Sequence, residues 1–340
     1  MRVCLVSSYP PKQSGIGTYT SYLAKELGKI DTVDVLPWNY DGFFSKLLSP
    51  FTNIRRLSHA FLNYDIVHIQ YHLGDFLFFF LPVLFFIRGK AKLVITLHED
   101  YANLVFAPLV KLFHNIVYHR ADLLIAHTAF QQRVLSASLV KKSTIIPHGI
   151  ILRKVKRNPK KGNILLPGFI NPWKGHDLAI RALSFVVKTK PKVRLIIAGK
   201  AHHKDYAEKL RSLVKELSLE RNVTINDKYI EEKNLFALFR NSEIAVLPYR
   251  RITMSGIFCH VVSWNLPCVL SDLVPFREYT QGMALYFRSD DYLDLAEKIL
   301  ALLGNKALQK RMSHDFLKLS SQYSWSSVAQ MTHYGYQRLV

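Results

Sequence analysis

The chain has 340 residues, 49% of them hydrophobic, a length and apolar content that argue against a single compact domain and fit two domains of ordinary size. Lys and Arg total 46 against 25 Asp and Glu, a formal net charge of +21 that favours anionic partners: nucleic acid, acidic lipid headgroups or phosphorylated small molecules. Cys4, Cys259 and Cys268 lack CxxC spacing and companion histidines, which excludes a disulfide framework, and no apolar stretch reaches the roughly 18 residues that a spanning helix requires.

The N-terminal run MRVCLVSSYPP is too short for a signal-peptide core, so the expected location is the cytosol. Short apolar runs then recur with helical segments between them: Val3 to Ser7, Val33 to Leu36, Ile66 to Ile69, Leu93 to Leu97, Leu123 to Ala126 and Thr144 to Ile146. Runs this rich in Val, Ile and Leu indicate parallel strands buried on both faces, where ligands bind beyond the carboxyl ends. After the first run comes SSYPPKQSGIGTYT, in which Gly15 and Gly17 let the backbone pass close to a ligand before a helix expected to begin near Thr18. It is not the dinucleotide fingerprint, because the third glycine and a well-placed acidic residue are missing.

Residues 74 to 90, GDFLFFFLPVLFFIRGK, predict a helix capped by Asp75 and apolar on every side, either buried in protein or dipping into lipid. The fourth run ends in LHED, which puts His98 directly after a strand, and His127 holds a similar place after LLIA. Pro147 to Gly162, with the basic segment RKVKRNPKK, marks the join between two domains.

A second series of runs follows: Ile164 to Leu166, Val193 to Ala198, Val223 to Ile225, Ile244 to Leu247, Cys268 to Leu270 and Ala284 to Phe287. In ILLPGFINPWKGHDLAIRAL a strand runs through a loop holding Asn171 and Lys174 into a helix, a unit suited to anion capture. After IAVLPY, Ser255 reads as a helix cap and Gly256 as a close-approach residue, a second anion-binding helix start. Two such starts suit a diphosphate. Glu278, shortly after the Cys268 to Leu270 strand, either holds sugar or ribose hydroxyls or is an exposed loop charge, and SQYSWSSVAQMTHYGYQRLV reads as a final helix that returns to the first domain.

Taken together, PPKQSGIGTYTSYLAKEL, VITLHED, ADLLIAHTAFQQRVL, IIPHGI, GFINPWKGHDLAIRAL, VLPY, the Ser-Gly pair, NLPCVLSD and FREY resemble the retaining GT-B glycosyltransferases of the GT4 group over essentially the whole chain. The resemblance implies an α/β fold of two Rossmann-like doubly wound domains (1–150 with 325–340, and 162–324, joined by 151–161) with a cleft between them and a C-terminal helix crossing back. It implies transfer of a sugar from a nucleotide-diphosphate sugar, with retention and without a metal or other cofactor. On that basis Lys174 neutralises the donor pyrophosphate, the Ser255 and Gly256 amides bind it, and His98 contacts the transferred sugar. Asn171, His260 and Glu278 complete the donor site, and Gly15 and Gly17 line the cleft.

Two departures stand out. Phe169 and Asn171 occupy the places where many members carry an arginine, and Ile252 and His260 occupy the frame of two glutamates eight positions apart. A nonenzymatic subunit of the same fold that binds a partner therefore remains an alternative, as does a basic nucleic-acid-binding protein, although no nucleic-acid module is recognisable. The expected acceptor is a glycan or lipid-linked molecule reached from the cytosolic face of an anionic membrane, through Phe76 to Ile87 and basic clusters such as Arg55 with Arg56.

Overall fold

The structure is a computed structural model that describes all residues except 13, 39–52, 73–88, 99–106 and 154–155, and for 107–113 the backbone alone. The apolar helix expected over 74 to 90 lies almost wholly outside the described residues. The chain forms two units, Met1–Gly149 with Tyr323–Val340, and Ile150–Gln322.

In the first unit six strands, β1 (Arg2–Ser7), β2 (Thr32–Pro37), β3 (Ile66–Tyr71), β4 (Lys92–Leu97), β5 (Leu123–Ala126) and β6 (Ser143–Ile145), form one sheet in the order β2-β1-β3-β4-β5-β6. Every adjacent pair is parallel. Parallel pairing needs a crossover between successive strands, supplied among the described residues by α1 (Gly15–Leu27), α2 (Ile54–Asn63), α3 (Ala107–Arg120) and the short α4 (Ala129–Arg133) and α5 (Ala137–Val140).

The two faces of this sheet differ, because side chains alternate along a strand. On one face Val67, Ile69, Tyr71, Leu93, Ile95 and Leu97 enter an apolar core with Trp38, Leu57, Phe61 and Tyr118. On the other face β3 presents His68 and Gln70, and β4 presents Thr96, all buried. That polar face is covered by α1 and by a helix from the far end of the chain, Trp325–Gln337. Gly149 has no Cβ because the Trp325 ring lies against it, where a Cβ would come within 2.2 Å of the indole.

The second unit repeats the plan with β7 (Asn163–Pro167), β8 (Arg194–Ala198), β9 (Val223–Asn226), β10 (Ile244–Leu247), β11 (Cys268–Ser271) and β12 (Leu285–Phe287), all parallel in the order β12-β11-β10-β7-β8-β9. Its helices are α6 (His176–Thr189), α7 (Lys204–Glu216), α8 (Glu232–Asn241), α9 (Gly256–Ser263), α10 (Val274–Thr280), α11 (Tyr292–Gly304) and α12 (Lys306–Gln322), and the returning helix of the first unit is α13. Amphipathic spacing fixes the buried stripe of α6, where Leu178, Ala179, Ala182, Leu183 and Val186 face inward and α11 packs alongside. Each fully buried Leu or Val of this kind contributes about 1.5–3 kcal/mol.

Strand order reverses at β7 and β10, with β8 and β9 on one side and β11 and β12 on the other. The loops leaving β7 and β10 therefore diverge and leave a crevice at the carboxyl end of the sheet. Those loops carry Lys174 and Ser255.

Candidate active site

After β7 the chain passes Gly168 (φ +102) and Asn171 into a single 3-10 turn, Pro172–Lys174, then through Gly175 (φ +66) into α6. Lys174 thus precedes the helix, in a turn of its own. Its side chain is 5% exposed, with Nζ 5.2 Å from the Trp173 ring centre and 5.3 Å from that of Tyr249. Among the described residues no carboxylate pairs with it, and burial alone pulls its pKa down to about 8. Two aromatic faces give a desolvated ammonium some compensation, but less than an anion does.

The start of α9 converges on the same spot. A Cβ on Gly168 would lie 2.9 Å from Lys174 Nζ and 3.2 Å from Cγ2 of Ile257, so the ammonium and the first turn of α9 crowd one bare Cα. Ser255 caps α9 by accepting a hydrogen bond from Phe258 N–H at 3.3 Å, and Gly256 is exposed at the first helical position. The buried Tyr249 hydroxyl lacks a hydrogen bond of full geometry. Burial raises its pKa, an effect that nearby Ser255 opposes. Tyr249 therefore joins the lysine to the helix cap. A buried ammonium beside free helix N–H groups is an arrangement for holding a multiply charged anion.

Arg250 holds the turn in place, a residue that sequence reasoning passed over. Its backbone N–H donates to Trp173 O at 2.8 Å, and its Nη1 donates to Pro172 O at 2.8 Å and to Asp177 Oδ1 at 2.9 Å. Nη2 donates to Asp177 Oδ2 at 2.7 Å and Nε to Asp290 Oδ1 at 2.7 Å. Burial would raise the pKa of Asp177, but the bonds from Arg250 and from Tyr206 outweigh it and hold the carboxyl below its usual range. Gly175 completes the fit, since a Cβ there would stand 1.9 Å from Pro248 O. The only sequence sign of this clamp was an arginine directly after a strand, a weak one.

The other donor-side candidates are spread more widely. Asn171, 7% exposed, opens the 3-10 turn, and its Nδ2 lies 3.2 Å from Nδ1 of His202, whose ring stands 4.5 Å from Phe169. His260, one turn into α9, faces Phe236 and Phe239 at ring distances of 6.3 and 6.1 Å, with Arg153 over the Phe236 ring at 4.2 Å. Burial, then the charge of Arg153, pulls the His260 pKa to about 4. Ile252 is buried. Glu278 is half-buried within α10, which sets aside the alternative of an exposed loop charge: Pro275 favours the first turn and Val274 to Thr280 continue it.

In the first unit, Gly15 and Gly17 do not precede a helix that begins near Thr18. They form its first turn, because Ser14 accepts from Gly17 N–H at 2.8 Å and caps α1 three residues earlier than expected. Gly17 lies against the end of β1, where a Cβ would meet Ser8 O at 3.2 Å, whereas Gly15 faces open space. His98, just past β4, packs edge-on against Tyr19 at 4.9 Å and tilted against His127 at 5.2 Å, and its Nε2 lies 2.9 Å from Gln70 Oε1. Burial and the neighbouring His127, His148, His72 and His68 hold its pKa well below that of free histidine.

Residues 161–305 match the family model described as Glycosyl transferases group 1, and residues 16–154 match Glycosyltransferase Family 4. The chain belongs to this glycosyltransferase family. No curated protein matches it in sequence. Among solved structures, Anabaena HepE in complex with UDP-glucose is similar at TM-score 0.80, with 15% identity over 99% of each chain. Sucrose-phosphate synthase from Thermosynechococcus elongatus gives 0.79 and 15% identity over 99% of this chain and 98% of its own. The lipopolysaccharide outer core galactosyltransferase WaaB gives 0.72 and 12% identity over the whole of both. At such identities the likeness concerns the fold, two parallel six-stranded sheets with helices on the GT-B plan. In this glycosyltransferase, no group of His, Cys, Asp and Glu suited to a metal ion is found among the described residues, nor a helix long and apolar enough to cross a membrane.

Proposed function

We propose that this glycosyltransferase moves a sugar from a nucleoside-diphosphate sugar to a hydroxyl of a glycan or lipid-linked acceptor, with retention at the anomeric carbon and without a metal or other cofactor. The observation that carries the reading is the uncompensated Lys174 ammonium beside the start of α9. Breaking the anomeric bond builds negative charge on the departing diphosphate and positive charge on the sugar. Fixed donors already aimed at the phosphates stabilise that separation without reorganising. Ser255 and Gly256 contribute the helix start, and Asn171, His260 and Glu278 contribute the rest of the donor site. In the first unit His98 contacts the sugar, and Gly15 and Gly17 allow a close backbone approach.

The sequence pattern singles out no pair of carboxylates as acid and nucleophile, which favours a front-face transfer in which the leaving phosphate takes the acceptor's proton. Because HepE is seen with UDP-glucose, a UDP-sugar is the first donor to try. The +21 charge and the apolar run Phe76 to Ile87 support an acceptor presented at the cytosolic face of an anionic membrane. Failure to sediment with anionic vesicles at low salt would remove that part.

The decisive measurement is turnover after Lys174→Ala, with UDP-, GDP- and ADP-sugars first ranked by thermal shift. Losing a comparable fixed donor costs about 2.7–4 kcal/mol, so the rate should fall at least about a hundredfold. Wild-type turnover in that variant would overturn the assignment. One observation favours a second reading: buried Ile252 and aromatic-packed His260 stand where many members have glutamates. Nucleotide binding with neither transfer nor donor hydrolysis would select a nonenzymatic subunit instead.

A further inference from the structure

The polar face of the first sheet holds a continuous hydrogen-bonded file of which the transfer reading uses only one end, His98. His98 Nε2 lies 2.9 Å from Gln70 Oε1, and Gln70 Nε2 lies 3.1 Å from His68 Nε2. His68 Nε2 is also 2.7 Å from Thr96 Oγ1, and His68 Nδ1 is 2.6 Å from the Tyr336 hydroxyl on α13. Gln70 is 1% exposed, and His68, Thr96 and Tyr336 are fully buried. Burying that many polar groups between two layers is expensive unless each finds its partner, so the file is fixed as a unit.

The amide of Gln70 makes the unit directional. Its oxygen can only accept, so the His98 nitrogen facing it must carry a proton; its NH2 can only donate, so the His68 nitrogen facing it must be bare. A neutral imidazole has one proton. The His68 proton is therefore on Nδ1, donated to the Tyr336 oxygen, and the Thr96 hydroxyl donates to His68 Nε2. The His98 proton is on Nε2, which leaves Nδ1 bare and, among the described residues, without a hydrogen-bond partner.

We propose that Gln70, His68 and Tyr336 are positioning residues for His98, a buried relay anchored on the C-terminal helix that holds the ring with Nδ1 as a lone-pair acceptor for a hydroxyl of the transferred sugar. The sugar part rests on the transfer reading above; the tautomer does not. Rotating the Gln70 amide by half a turn reverses every donor in the file and turns His98 Nδ1 into a donor. Tyr336, far away in sequence, anchors the far end through a hydroxyl that can accept from or donate to His68 Nδ1, so the direction is set by the Gln70 amide.

The test is nitrogen-15 NMR of the full chain labelled at histidine, with His98 and His68 assigned through His98→Asn and His68→Asn. Wild type should show a protonated Nε2 and bare Nδ1 at His98, and the reverse at His68. Tyr336→Phe removes the acceptor at the far end, so both rings should exchange tautomers. It should lower kcat about ten- to a hundredfold, the scale of losing an orienting partner, with donor KM moving less than about twofold. If that variant does not fold, Gln70→Leu should leave His98 as a mixture of tautomers. A proton on Nδ1 of His98 in the wild type, or tautomers indifferent to either substitution, overturns the relay. The expected tautomers in a protein that binds nucleotide but shows neither transfer nor donor hydrolysis would uphold the relay and overturn the transfer reading.

Discussion

Lys174 places binding and stability in opposition. Its pKa is lowered from 10.5 to about 8 by burial, so the folded protein prefers the neutral amine and the unfolded chain the ammonium. The cost to the folded state is therefore present in full below about pH 8 and is relieved as pH rises toward 10.5. Lys174→Met should stabilise the ligand-free protein at pH 7 by on the order of 2–3 kcal/mol and flatten its alkaline stability profile. Denaturant titration with and without a UDP-sugar checks this. A variant less stable than wild type, or one still stabilised by the nucleotide, would contradict it. Nucleotide affinity in the wild type should weaken above about pH 8 as the charge is lost. The lysine was legible in the sequence as a cation before a helix. Its aromatic and helical neighbours Tyr249 and Ile257 were not, because both come from the segment after β10, far from Lys174 in sequence.

At the scale of elements, the 3-10 turn and α6 are held by contacts from the loop after β10. Gly175 adopts φ +66 against Pro248 O, so Gly175→Ala combines a left-handed backbone with a steric clash. It should cost at least about 2 kcal/mol and abolish the nucleotide-induced thermal shift. A variant that melts and binds like wild type would show that the turn does not need this glycine. Arg250→Lys keeps the charge but loses the planar fork on Asp177, and turnover should fall about tenfold with little loss of fold. Unchanged kinetics there would remove Arg250 from the positioning role. A helix start was legible where its cap was read, as at Ser255, and was misplaced where the cap was passed over. GIGTYT pointed to Thr18 because two glycines argue against helix, yet the Ser14 cap draws both into α1. A loop charge stayed open as an alternative at Glu278 because FREY is too short to show a helical period, and the helix around it has only seven residues.

Across the whole molecule, buried imidazoles are common. His68 is held at about 3 and His127 at about 4 in the first unit, and His176 at about 3 and His260 at about 4 in the second, burial being the first cause in each. In the unfolded chain these groups take up protons near pH 6.5, whereas the folded protein refuses them until about pH 4 or below. The stability they contribute is therefore present above about 6.5 and is lost as pH falls toward 4. Calorimetry should show the melting temperature falling steadily across that interval. A flat profile would mean that the imidazoles are solvated.

The sequence by itself determined the twelve strands found among the described residues and the two-sheet architecture. Strands buried on both faces of a parallel sheet must be apolar almost throughout, so each appears as a short continuous run whatever its neighbours are. It also singled out Lys174, Ser255 and His98 as candidates, since ligands of parallel sheets bind beyond the carboxyl ends of strands. Only the tertiary structure decided what surrounds them: the Arg250 clamp, the convergence of Lys174 with the first turn of α9, and the file from Tyr336 to His98. These depend on strand order and on a helix returning from the far end of the chain. Contacts between distant segments leave no periodic trace in either one.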